Sequence, residues 1–176
     1  MLERMNLPFG IGSGRTFVDD PSKLRLDLWL DREHSKVTGT VWMGPSCIGP
    51  PGRVHGGASC YVLDEAMGCV CFAMGYQAFA RRVSFELVRM VPLETDLTIH
   101  AYIEDPPAAD RTIIVSGMLA LDGLGPLVIS RGEFRMISQS HLERLTQTKE
   151  AILSLLPDHD SSEIGLRLDD DTQGIK

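Results

Sequence analysis

Gly49-Pro50-Pro51-Gly52-Arg53-Val54-His55-Gly56-Gly57-Ala58-Ser59-Cys60-Tyr61-Val62-Leu63-Asp64-Glu65-Ala66-Met67-Gly68 is the stretch on which the reading of this chain turns. Its opening cannot be regular structure, because proline and glycine break helix and strand alike. After His55 comes a long apolar segment ending near Gly75, a residue suited to a helix C-cap. The segment predicts one long helix, apolar nearly all round and so buried on most sides. Within it stands Asp64, among Tyr61, Val62, Leu63, Ala66 and Met67. A carboxylate in an apolar helix is costly unless it is paired or used.

Strand patterns flank the helix. Upstream, Leu24, Leu26, Leu28 and Leu30 alternate with Arg25, Asp27 and Trp29. Residues 36–43 set Val37, Val41 and Met43 against Thr38, Thr40 and Trp42, and the two runs read as a hairpin. Downstream, residues 82–90, 95–103, 111–121 and 127–137 read as four more strands joined by turn-rich links, an antiparallel meander. Residues 140–156 have helical spacing, and Pro157 ends them. The order predicts an α+β chain, one central helix wrapped by a strongly twisted antiparallel sheet. The expected divisions are an irregular lead-in (1–22), the main domain (23–138), a C-terminal surface helix (139–156) and a flexible acidic tail (157–176).

Composition narrows the function classes. The chain has 176 residues, 43% hydrophobic and 23% charged, which suits one folded domain. Of its net charge of -7, the tail supplies most, with six acids against two bases from Pro157 onward. No basic patch suggests nucleic acid. No stretch of about 20 residues lacks charge, so no membrane span is expected. Met1-Leu2-Glu3-Arg4-Met5 lacks the order of a signal peptide, which points to the cytoplasm. Cys47, Cys60, Cys69 and Cys71 then read as free thiols, small and apolar, without zinc-type spacing.

The candidate chemistry gathers at the start of the helix. The first N–H groups of a helix lack internal partners and carry the positive dipole end, so they suit a developing oxyanion. Gly56 and Gly57 let a ligand approach that backbone closely. His55, just before them, can donate to a carbonyl. Structural readings stand beside these: a histidine bonded within its loop, a tight glycine turn, an acid held in an ion pair. Gly57 and Asp64 are seven residues apart, about 10 Å along a helix axis. One chain would struggle to bring both to one carbonyl, whereas two copies about a two-fold axis would combine donors from one with the acid of the other.

Taken together, the Gly49–Ala58 run and the subsequent Leu63-Asp64-Glu65-Ala66-Met67-Gly68 resemble the hotdog-fold thioesterases, in particular the phenylacetate-degradation branch. The resemblance covers residues 24–137. It implies an acyl-CoA thioesterase acting on an acyl or aryl-acyl thioester. Asp64 would be the catalytic acid, as general base or nucleophile. Gly57 would polarise the carbonyl through its N–H with Gly56 beside it, and His55 would position the thioester. It further implies a homodimer or a dimer of dimers, and no cofactor beyond the coenzyme A of the substrate. Arg81, Arg82 and Arg89 could meet coenzyme A phosphates, with cross-strand or interface ion pairing as the competing reading. The acyl pocket would end on Tyr61, Phe72 or Trp42. Two departures stand out. The residue sixteen after the acid, often Thr or Ser in relatives, is Ala80, and an Asn found before the His in some is Gly49. Activity would then be slow or depend on another group such as Ser84 or Glu65, or the chain binds acyl-CoA without hydrolysing it. A hotdog hydratase ranks last, since no His comes after Asp64 until His100.

Overall fold

The computed structural model describes residues 2–5, 20–105, 107, 109–138, 140 and 144. The expected C-terminal helix and acidic tail lie outside the described residues, apart from isolated positions. Strands and helix belong to one unit, Met1–Ile137; Ser138–Lys176 forms another.

A strand of two residues, β1 (Glu3–Arg4), pairs antiparallel with Leu30 and Trp29. It arises where an irregular lead-in was expected, because two residues leave no periodic trace. The leucine alternation does form β2 (Leu24–Asp31), which pairs along its length with β3 (Lys36–Met43). All four leucines are buried. A 3-10 turn, Pro45–Cys47, opens the glycine–proline loop, and α1 (Gly56–Ala73) comes next. The helix ends at Met74 and Gly75 takes φ 82°, the left-handed value that glycine accepts without strain. Then come β4 (Ala78–Leu87), β5 (Asp96–Asp105), β6 (Thr112–Leu121) and β7 (Gly125–Met136).

All seven strands form one antiparallel sheet in the order β1-β2-β3-β5-β6-β7-β4. The strands after the helix are therefore not a simple meander. β5, β6 and β7 are consecutive, but β4 crosses to the far edge and pairs with β7, while β5 pairs with β3. The β4–β5 link runs along the loop before the helix: Arg53 bridges Pro92, and Val54 N–H donates to Val91 O.

The helix lies on one face of this sheet. Val62, Leu63, Ala66, Met67, Val70 and Cys71 join Leu28, Val37, Ile99, Val115 and Leu119 in a single buried cluster. A fully buried Leu, Ile or Met contributes about 1.5–3 kcal/mol. Gly117 on β6 makes room for the helix: a Cβ there would meet Leu63 Cδ2 at 3.2 Å, and Ser130 Oγ of β7 at 2.5 Å. Among the described residues, no helix is long and apolar enough to cross a membrane.

Candidate functional site

His55 is the N-cap of α1. Its extended backbone (φ -63°, ψ 134°) turns the chain into the helix, and its carbonyl accepts from the N–H groups of Ala58 (2.9 Å) and Ser59 (3.3 Å). Its ring accepts too: Gly57 N–H donates to His55 Nδ1 at 2.9 Å. Capping by a ring nitrogen is a use the residue pattern alone does not reveal for this histidine, and it occupies the N–H expected to hold a carbonyl. Gly56 is the one residue of the first turn whose N–H meets no acceptor among the described residues. With Nδ1 accepting, the neutral imidazole carries its proton on Nε2. His55 is exposed.

The loop holds this cap in place. His55 N–H donates to Cys47 O (2.7 Å), and Gly49 N–H donates to Arg53 O (2.9 Å). A Cβ on Gly49 would come within 2.7 Å of His55 Cα. Glycine is needed there because two backbone segments touch, so Gly49 supports the histidine rather than offering a side chain to a ligand.

α1 is not buried on every side. Gly57, Asp64 and Phe72 are exposed, and Gly56, Cys60 and Gly68 are half-buried. Small residues leave one stripe of the helix open, which the apolar composition of the segment concealed. Asp64 lies on this stripe, at the surface of the single chain. The apolar surroundings of its carboxylate still raise its pKa by desolvation. Glu65 beside it is half-buried and raised as well, first by desolvation and further by the Asp64 charge, against a lowering hydrogen bond from Tyr61. Gly56 and Asp64 are eight residues apart on one helix, about 12 Å at 1.5 Å per residue.

β4 bounds the open stripe. A bulge falls between Ala80 and Arg82, so Arg81 is left out of the pairing. It resets the alternation: Val83, Phe85 and Leu87 pair with Gly132, Ser130 and Val128 on the helix side, while Arg82 and Ser84 pair with Glu133 and Arg131 on the outer side. Arg82 reaches Glu133 at 3.6 Å, and Ser84 Oγ donates to Arg131 O at 3.0 Å. The single chain therefore does not bring Arg82 or Ser84 to Asp64. Arg89 is tied to the start of β7, donating to Pro126 O at 2.6 Å. Trp42 is on the outer face under the Arg25 guanidinium (4.2 Å) and cannot end a pocket between helix and sheet. Ala80 is on the helix side, opposite Phe134.

The four cysteines are free. Burial pushes the Cys69 and Cys71 thiols up to about 12, so both are unreactive at neutral pH. Among the described residues, the one cluster with metal-ligand geometry is Asp31, Glu33 and His34 in the β2–β3 turn. His34 Nδ1 there bonds Asp31 at 2.8 Å.

No family profile and no curated protein matches the chain. Solved structures do. A thioesterase superfamily protein matches at 27% identity with a TM-score of 0.58, over 62% of this chain and 53% of that one. The chain thus spans about half the length of that relative. A Streptococcus mutans protein bound to acetyl CoA matches at 17% identity and TM-score 0.59, over 70% and 93%. The E. coli PaaI protein of the phenylacetic acid degradation operon matches at 16% identity and TM-score 0.56, over 65% and 80%.

Proposed function

The chain shares the hotdog fold of the thioesterase-superfamily proteins, and from that premise we propose that it hydrolyses an acyl or aryl-acyl thioester of coenzyme A, in sites shared by two copies. The observation that carries the reading is the Gly56 N–H, which meets no acceptor among the described residues at the positive end of α1 while the rest of its first turn is bonded. The similar structure from Streptococcus mutans is bound to acetyl CoA, which supports the ligand class.

The carbonyl oxygen of the thioester accepts from Gly56 N–H, with His55 Nε2–H beside it. Asp64 of the second copy takes a proton from water, whose oxygen attacks the carbonyl carbon. The charge moves to the oxygen held by Gly56. The C–S bond then breaks, and the thiolate takes the proton back from Asp64. Desolvation favours this role, since a raised pKa makes the carboxylate a stronger base. One preorganised donor is worth about 3 kcal/mol of barrier.

The second copy would pair along β4. This strand is a sheet edge, with Phe79 in solvent on it and Phe72 in solvent on the helix beside it. An apolar edge strand in solvent is a template for pairing.

Subunit mixing tests the proposal. Asp64→Ala and Gly56→Pro chains, each inactive alone, are co-refolded and assayed for thiol release over a panel of acyl-CoAs. Random pairing yields hybrids with one intact site, about a quarter of the wild-type sites. No recovery would sink the shared site. An inactive wild type that still binds acyl-CoA would favour a second reading, non-catalytic binding. The observation favouring that reading is Ala80, whose missing hydroxyl Ser84 cannot replace from the opposite face of β4.

A further inference from the structure

Leu87 is the last residue of β4, and its pairing with Val128 sets it on the helix side of the sheet. Its Cδ1 is 3.2 Å from the point that a Cβ on Gly56 would occupy. The side chain therefore lies over the first helical residue, whose N–H is the open donor. It is nevertheless 58% exposed, and Val88 and Met90 next to it are exposed as well. The backbone beneath is fixed: Arg89 N–H donates to Leu127 O at 3.0 Å and Val54 N–H to Val91 O at 2.9 Å. A branched apolar side chain, largely in solvent, is thus held against Gly56, whose N–H meets no acceptor among the described residues.

We infer that Leu87 is a specificity-determining residue that contacts the acyl carbons next to the thioester carbonyl and limits branching there. The inference rests on the thioesterase reading. A carbonyl oxygen bonded to Gly56 N–H lies about 2.9 Å from that nitrogen. Its carbon and α-carbon then fall within van der Waals reach of a side chain that covers Gly56. Leu87 offers no donor or acceptor, so it can discriminate only by volume. Straight chains pass it, while a methyl branch on the α-carbon meets Cδ1.

The test compares n-butyryl with isobutyryl thioesters, each made on coenzyme A and on N-acetylcysteamine, which lacks the rest of the pantetheine arm. In Leu87→Ala the isobutyryl to n-butyryl ratio of kcat/KM rises by roughly 10-fold, the usual discrimination for one methyl-sized group. In Leu87→Phe the ratio falls, and in Leu87→Met it stays near wild type. Both shifts persist on the short thiol. Because Leu87 is exposed, the variants keep their core, and thermal melting confirms it. An unchanged ratio in active Ala and Phe variants overturns the inference. So does a shift confined to the coenzyme A thioesters, which would place Leu87 on the thiol arm. A wild-type protein inactive on these four thioesters and on the whole wider panel of acyl and aryl-acyl thioesters overturns the thioesterase reading itself, and this inference with it.

Discussion

Gly57 N–H donates to Nδ1 of His55 at 2.9 Å, so one ring nitrogen closes the helix end and the other is turned outward with its proton. The two nitrogens can be separated experimentally. His55→Asn keeps a good N-cap acceptor, and His55→Ala removes it. The alanine variant should lose about 1 kcal/mol and melt roughly 2–4 °C lower. The asparagine variant should melt near wild type. Both should release thiol more slowly, because both lack Nε2–H. Wild-type rates in His55→Asn would remove that proton from the chemistry.

Gly56→Pro isolates the open donor. Proline lacks an N–H and is well tolerated at the first helical position, and His55 already has the extended backbone that a residue before proline adopts. A Cβ at this position meets only the movable end of Leu87. We expect the fold and thermal stability to survive, and kcat to fall by roughly 10²–10³-fold. Circular dichroism melting and steady-state thiol release measure the two effects. A fully active Gly56→Pro protein would exclude this amide as the oxyanion donor.

Asp64 predicts opposite effects on activity and stability. Its pKa is raised above the ordinary value of 3.8 by desolvation. As a general base it works ionised, so kcat/KM should decline on the acid side at a pH above that value. The folded state also holds the proton more tightly than the unfolded chain. Stability is therefore lost as pH rises from 3.8 through the raised value. Asp64→Asn should lose roughly 10²–10⁴-fold in rate yet melt higher than wild type at pH 7. That difference should close as the pH is lowered towards 3.8. Equal melting temperatures at neutral pH would show that the carboxylate carries no desolvation cost.

Cys60 reports the register of a paired assembly. If Gly56 of one copy faces Asp64 of another, residue 60, midway between them, faces its own counterpart across the two-fold axis. Its thiol is half-buried on the open stripe and free. A short bismaleimide should join two wild-type chains, and Cys60→Ser should prevent it, as read on a denaturing gel. Cross-linking that persists in Cys60→Ser would point to Cys47 and to a different register.

Much of this was legible in the sequence. Period-two leucines and valines gave β2 and β3, and the glycine–proline loop leading into an apolar run gave α1. Other features depend on contacts that a linear pattern does not encode. The bulge at Arg81 shifts no residue type, yet it turns Ser84 away from the helix. The crossing of β4 to the far edge depends on how its link runs beside Arg53 and Val54. The move of the open donor from Gly57 to Gly56 depends on a ring rotamer. Leu87 carries no signal of its own in the sequence, because no spacing rule links residues 56 and 87.

Among the described residues, β4 ends the sheet with one side of its backbone unpaired, beside a stripe where the helix offers small residues, Asp64 and Phe72. A chain built this way would be concentration-sensitive. If two copies share each site as proposed, scarce copies would keep their fold but hold half of two incomplete centres. Turnover per chain would then climb with protein concentration until association saturates, whatever the thioester supply.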